Sequence, residues 1–280
     1  MAVNGGAMAT APMRGRASAP RLTGDALVLE RVTRRFGALA AIEDVSIAVR
    51  AGERRAVIGA NGAGKTTLFN CITGDFPPTS GRIRFFGDDV TAMPPYERIR
   101  AGLRRTYQSS LLFRDLSARD NLFLAVRGVT RGRYSLLRPG RGSASRAAAD
   151  ELLERVHLTA VGDQLVAALS YGQQRQLEIG MALAGAPRLV LFDEPAAGLS
   201  PAERVDLVRL FESLPAHIGF VLIEHDLDIA LRVVERVTVL HNGRLLKEGT
   251  PAEIESDAEV QAIYMGEKHA EGHAQREGAG

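Results

Sequence analysis

Short apolar runs alternate with stretches of helical spacing along most of this 280-residue chain. Residues 26–32 and 45–50 read as strands, and 56–59 is a short apolar strand running straight into a glycine-rich turn. Helical spacing follows over 65–72. A Pro-Pro-Thr-Ser-Gly turn at 77–81 leads into a strand over 81–86, and 95–102 reads as a short helix ahead of Arg105-Thr-Tyr-Gln108. From about residue 109 to 183 the strand signal vanishes, while 116–126, 147–156 and 172–184 all carry helical spacing. Strands return at 189–192, 220–224 and 236–240, alternating with helices over 201–214 and 226–233, which is the βαβ rhythm of a parallel sheet. The pattern predicts one α/β domain over 26–265 with a helical block, about 109–184, inserted into it. No internal repeat is present. The flanking stretches, 1–25 and 266–280, lack periodicity and are expected to be disordered tails.

Composition narrows this reading. With 45% hydrophobic and 24% charged residues the chain has an ordinary globular balance. Its apolar runs at 189–192 and 219–223 are strand-sized, far short of the ~20 apolar residues that a membrane-spanning helix needs. The chain is therefore not expected to cross a membrane by itself. A single cysteine, Cys71, allows no internal disulfide and fits a small buried apolar residue. No apolar h-region follows the start, so a reducing compartment, the cytosol by default, is expected. The net charge of +2 hides local imbalance, since 32 of the 35 basic residues are arginine. The first tail holds Arg14, Arg16 and Arg21; it is acid-poor, as a transit peptide is, but has no amphipathic apolar face. A second basic stretch, 127–146, includes Arg131, Arg133, Arg138 and Arg141, with Pro139, Gly140 and Gly142 to break a helix, and reads as a loop. Neither resembles a nucleic-acid footprint, and no nucleic-acid partner is expected.

Gly59-Ala-Asn-Gly-Ala-Gly-Lys-Thr66 fits the pattern G-x-x-x-x-G-K-S/T in the context that gives it meaning, after an apolar strand and at the opening of a helix. Backbone N–H groups wrap a phosphate only where no side chain crowds them, which Gly59, Gly62 and Gly64 allow, and the helix start adds a positive dipole end. Lys65 supplies a point charge to the β- and γ-phosphates and Thr66 a hydroxyl to Mg²⁺; Asn61, Ala63 and Thr67 complete the expected phosphate-binding set. The loop predicts binding of a nucleoside triphosphate.

A second element carries acids. Arg188-Leu-Val-Leu-Phe-Asp-Glu-Pro195 is an apolar strand ending in two adjacent carboxylates, at the carboxyl end of a sheet strand where open α/β folds bind ligands. Taken with the phosphate loop, Asp193 is expected to hold Mg²⁺ through its water shell and Glu194 to orient and polarise the attacking water. No Asn-Lys-x-Asp guanine motif is present, which argues against a GTPase.

Leu169-Ser-Tyr-Gly-Gln173, directly before a helix and some twenty residues ahead of the acidic strand, decides among families. Here the chain resembles the ATP-binding subunit of an ABC transporter, with the signature LSGGQ written LSYGQ. Together with LSYGQQRQLEIGMALAGAPRLVLFDEPAAGLSP, the segment LIEHDLDIAL and the ending VQAIYMGE, it is similar to the branched-chain amino acid transport ATPases over about 26–267. The resemblance implies a P-loop NTPase (RecA-like) nucleotide-binding domain of the α/β class, with an inserted α-helical subdomain and a small antiparallel β part. It implies ATP and Mg²⁺ as cofactors. It places Phe36 where an aromatic face stacks on adenine, the alternative being core packing. Gln108 falls at the position that touches Mg²⁺ and the attacking water, and His225 at the switch histidine that hydrogen-bonds the γ-phosphate. Ser170, Tyr171, Gly172 and Gln173 would cap the γ-phosphate bound by a partner cassette, so ATP would act as interfacial glue.

The implied partners are a second ABC ATPase, either a related chain or a second copy, two transmembrane permease subunits, and indirectly an external solute-binding protein. The implied place is the cytoplasmic face of the inner membrane, as a peripheral subunit. The alternatives are a soluble ABC ATPase with no transport role and an importer ATPase for urea, amides or another small polar solute. Two departures from the family pattern stand out: Ser200 replaces a common Asp in the stretch Ala197-Gly-Leu-Ser200, and Ala60 replaces a common Pro in the phosphate loop. The basic stretch 127–146 falls on the side that faces the permease in relatives, as a solvated loop or as a phospholipid or permease contact.

Overall fold

A computed structural model of the chain describes residues 24–106, 112–129 and 144–263. The tail expected over 1–25 lies outside the described residues except at its end. There Asp25 opens a strand by pairing with Arg50. Gln108, most of the basic stretch 127–146 and all of 266–280 also lie outside them.

The chain opens with a long hairpin, β1 (Asp25–Phe36) and β2 (Leu39–Arg50), and crosses to β3 (Arg54–Ile58), which feeds α1 (Lys65–Thr73). β4 (Ser80–Phe85) and β5 (Asp88–Asp89) follow, then α2 (Pro95–Ala101) and the three-residue β6 (Leu103–Arg105). α3 (Ala118–Val129), α4 (Ala144–Arg155) and α5 (Tyr171–Ala182) make up the helical insertion. The chain returns to the sheet with β7 (Leu189–Asp193), α6 (Pro201–Ser213), β8 (Gly219–Ile223), α7 (Leu227–Val233), β9 (Arg236–His241), β10 (Arg244–Gly249) and α8 (Pro251–Glu255).

Two sheets result. One is antiparallel, in the order β2-β1-β4-β5; the other runs β10-β9-β3-β8-β7-β6 and is parallel except for the antiparallel pair β9 and β10. Every residue of β7 and β8 is buried, as expected of parallel strands covered on both faces. Their side chains alternate between two cores. Val190, Phe192, Phe220 and Leu222 pack with α6, α7 and the helical insertion, where Phe192, Phe211 and Phe220 stack with centroids 5.0 to 5.6 Å apart. Leu189, Leu191, Val221 and Ile223 face the other way, toward α1 and the antiparallel sheet. The parallel sheet is thus the wall between the two cores.

Among the described residues, the insertion holds α3, α4 and α5, 3₁₀ turns at Thr159–Val161 and Val166–Ala168, and an isolated bridge between Ser117 and Leu165. Gly180 of α5 sits against Leu122 and Val156; a Cβ there would lie 3.0 Å from Leu122, so its absence sets how closely three helices meet. Elements β5, β6, β10 and α8 are those that the hydrophobic pattern did not announce. β10 is a polar edge strand, and β6 is too short to show a period. Among the described residues no helix is long and apolar enough to cross a membrane.

Candidate active site

At the end of β3 the backbone leaves the sheet in conformations open to glycine. A Cβ on Gly59, at φ +153°, would lie 2.2 Å from the carbonyl oxygen of Leu240; one on Gly64, at φ +98°, would lie 2.5 Å from that of Ala41. These two glycines are therefore demanded by the loop's own packing against β9 and β2. Gly62 has open space around it. Gly64 is the N-cap of α1, and Thr66 and Thr67 lie on its first turn. Lys65 is buried, with Nζ folded onto the loop's carbonyls at 2.5 Å from Gly59 O and 2.9 Å from Ala60 O.

This loop walls a cleft of about 400 Å³. Residues 61–67 line one side, together with Glu194, residues 39–41 of β2, and Asn242 and Gly243. Asn242 and Gly243 form the two-residue turn between β9 and β10, with φ +48° and +75°. The turn is stitched to the loop, Gly243 N–H donating to Ala63 O at 3.1 Å and Glu43 N–H donating to Gly243 O at 2.7 Å. Asn-Gly between two strand-length runs is a strong hairpin signal. That signal was present in the sequence, and it places a wall of the cleft that motif reading passed over.

β7 delivers the two acids in opposite directions. Glu194 follows the last strand residue with φ +48°, its N–H donating to Ile223 O at 2.9 Å, and its side chain turns into the cleft. Asp193 stays inside, 1% exposed. Its Oδ2 accepts from Arg105 Nη2 at 2.5 Å, whereas Oδ1 is buried without a partner. The Arg105 guanidinium, itself 5% exposed, also reaches Asn70 Oδ1 at 2.5 Å and Asp75 Oδ2 at 3.1 Å, and so ties β6, α1 and β7 together. Sequence reading used Arg105 only as a landmark for Gln108. No spacing rule links it to Asp193; the contact arises because β6 and β7 are neighbours in the sheet.

His225, just past β8, is exposed, with Nδ1 4.0 Å from Oε2 of Glu194 and 4.0 Å from Oε2 of Glu224. Glu224 is fully buried, and its Oε1 accepts from Ala196 N–H at 2.8 Å. Burial pushes its carboxyl up to about 7.

Other expected residues lie away from the cleft lining. Phe36 ends β1 with its ring half-exposed, packed edge-on against Phe76 at 5.5 Å, while the Arg34 guanidinium sits 4.7 Å from both centroids. Exposed Leu39, its pairing partner across the hairpin, is the residue that lines the cleft. Ser170 is the N-cap of α5 in a reciprocal capping box with Gln173. Gly172 N–H donates to Glu203 Oε1 at 3.0 Å, and the Tyr171 hydroxyl accepts from Arg175 Nη2 at 2.8 Å. Ser200 caps α6 by the same device with Glu203, so its hydroxyl serves its own helix.

The donors fit a hard divalent cation held in part by phosphate: an orphaned buried carboxylate oxygen on Asp193 and a threonine hydroxyl at the start of α1. Among the described residues no three His, Cys, Asp or Glu side chains group into a cage of their own.

Comparison with known proteins agrees with this geometry. The ABC transporter family model matches residues 42–197. The chain is 36% identical over 251 residues to the high-affinity branched-chain amino acid transport ATP-binding protein BraF of Pseudomonas aeruginosa, covering 86% of this chain and 98% of that one. It is 36% identical over 249 residues to LivG of Salmonella typhimurium, a protein of the same description, with the same coverage. It is 37% identical over 227 residues to the lipopolysaccharide export system ATP-binding protein LptB of Escherichia coli, covering 81% and 91%. Among solved structures, the ADP conformation of MJ1267, an ATP-binding cassette of an ABC transporter, superposes with a TM-score of 0.78 at 32% identity, over 87% of this chain and all of that one. The chain belongs to the ABC transporter ATP-binding family, as an ATP-hydrolysing cassette homologous to the ATPase subunits of branched-chain amino acid transport.

Proposed function

We infer that this protein binds and hydrolyses ATP to drive an importer of branched-chain or related amino acids, as a peripheral subunit on the cytoplasmic face of the inner membrane. The carrying observation is the meeting of the phosphate loop and Glu194 at one cleft, with Asp193 and its orphaned oxygen directly behind. Lys65 exchanges the carbonyls of Gly59 and Ala60 for the β- and γ-phosphates, while N–H groups of 61–67 and the start of α1 hold the phosphate chain. Phe36 gives the adenine an aromatic face. Mg²⁺, when bound, neutralises charge on the phosphates; Thr66, Asp193 Oδ1 and Gln108 are the groups that would hold it. Glu194 takes a proton from the attacking water as it strikes the γ-phosphorus, and His225 donates a hydrogen bond to a γ-phosphate oxygen.

Ser170, Tyr171, Gly172 and Gln173 lie outside the cleft lining, which supports their use on a partner's nucleotide. Ser170 Oγ accepts from Gln173 N–H, and its hydroxyl bonds to the Glu203 carboxylate, a bond it would exchange for a partner's γ-phosphate. Hydrolysis then removes the charge that bridges two cassettes and lets them open. The partner is a related cassette, or second a copy of this chain, and two permeases with an external solute-binding protein complete the importer. Similar identity to LptB favours one competing reading, a cassette serving a transporter of different cargo.

Two variants and their membrane partners test this. Lys65→Ala should abolish ATP binding, whereas Glu194→Gln should bind ATP and lose at least about 100-fold in turnover. Tagged Glu194→Gln protein, held with ATP and Mg²⁺ and pulled from detergent-solubilised membranes, should bring two polytopic proteins and a second ATPase. Normal turnover by Glu194→Gln would remove it as the base, and recovery of soluble partners alone would sink the transport role.

A further inference from the structure

One buried carboxyl beside the hydrolytic groups has no part in the mechanism above. Glu224 follows five consecutive apolar residues of β8 and is 0% exposed, an unusual place for an acid without a cation. One oxygen is used: Oε1 accepts from Ala196 N–H, in the turn directly after Glu194. The other, Oε2, is buried without a hydrogen-bond partner and lies 4.0 Å from Nδ1 of His225. The Glu194 carboxylate approaches the same nitrogen at 4.0 Å. His225 therefore sits between two acids, one reaching into the cleft and one sealed in the core.

We propose that Glu224 is a positioning residue that works as a neutral acid: its Oε1 holds the turn carrying Glu194, and the O–H on Oε2 donates to Nδ1 of His225, leaving the imidazole with Nε2–H to offer the nucleotide. The proton stays on the carboxyl throughout; only the 4.0 Å gap shortens as the exposed ring turns inward. Charge supports the neutral form. Burial is the main cause of the upward shift to about 7, with the negative charges of Glu194 and Asp226 adding to it and the backbone N–H groups of Ala196 and His225 opposing it. Asp226 caps α7 and is paired with Arg204 at 2.7 Å, so no cation is left over there for Glu224. A second full charge beside Glu194 would compete with it for the histidine, and a neutral donor avoids that. The inference rests on the reading of Glu194 and His225 given above.

The test is ATP hydrolysis by the full-length chain as Glu224→Ala, Glu224→Gln and Glu194→Gln, across pH, with the His225 ring nitrogens followed by NMR and assigned against His225→Ala. Glu224→Ala should lower kcat about tenfold or more with KM for ATP within about twofold. Glu224→Gln, which keeps one acceptor for Ala196 and a donor for His225, should recover most of that loss. The parent's rate should fall as pH rises through about 7, and Glu224→Gln should lack that fall. Parent and Glu224→Gln should hold the Nε2–H tautomer, and Glu224→Ala should lose it. If Glu224→Ala does not fold, the pH profile and tautomer of the Gln variant decide alone. A Glu224→Gln protein as inactive as Glu194→Gln, or the same alkaline limb in parent and Gln variant, overturns the proposal. Normal turnover by Glu194→Gln would instead bring down the reading on which it rests.

Discussion

Glu194 holds a left-handed backbone conformation that costs a residue with a Cβ about 1–3 kcal/mol, and its neighbours keep it there. Ile223 accepts its N–H, Ala197 donates to its carbonyl, and Glu224 pins the next turn through Ala196. The effect is directional. Asp193 continues the strand inward and Glu194 swings out into the cleft, so adjacent acids meet different surroundings. The shifted acid, Glu224, should leave a mark on stability. Its folded carboxyl titrates near 7 against 4.5 when exposed, so the stability held below 4.5 is lost progressively as pH rises through 7, to a total of about 3 kcal/mol. Urea unfolding of parent and Glu224→Gln should therefore diverge from about pH 5 to about pH 7.5, in favour of the Gln variant. A pH-independent difference would show that the folded carboxyl titrates normally.

Among the elements, α1 depends on a residue that no motif names. Arg98 of α2 is 1% exposed, and its guanidinium donates to Cys71 O and Ile72 O at the end of α1, and to Met93 O and Thr91 O beside it. Burial lowers its pKa, yet it remains a cation at a helix carboxyl end, where the dipole favours one. Gly74, the C-cap, leaves it room: a Cβ there would lie 2.8 Å from Arg98 Nε. Phosphate is expected at one end of α1 and this arginine closes the other. Arg98→Leu leaves those buried carbonyls unpaired and should destabilise the chain by about 3–5 kcal/mol in thermal or denaturant unfolding. Arg98→Lys should recover only part, since a point charge cannot span the carbonyls a planar fork reaches. Equal stability of Arg98→Leu and parent would mean that water replaces these bonds.

For the molecule as a whole, the parallel sheet sets the distance between the phosphate loop and the signature helix. The loop leaves the end of β3, whereas α5 belongs to the insertion between β6 and β7. With Glu203 bridging the starts of α5 and α6, Ser170 and Gly172 move with the core that holds β7. Glu194→Gln protein should therefore sediment as a dimer with ATP and Mg²⁺, alone or with its related cassette, and as a monomer with ADP; dimerisation indifferent to nucleotide would contradict ATP as the glue. By itself, the sequence determined most of the helices and strands, the insertion and the phosphate loop, because each is a local pattern: a period of two or 3.6, a glycine loop between strand and helix, two acids ending an apolar run. The Asn242-Gly243 turn was legible too, as a local signal. Tertiary structure alone decided that Arg105 holds Asp193, that Glu224 is sealed in the core against Ala196, and that Arg98 closes α1. Each depends on which strand or helix lies beside which, so the partners stand 88, 28 and 27 positions apart at their widest. No local period spans such separations, and the charge of a buried group is settled only by the neighbours that exclude water from it.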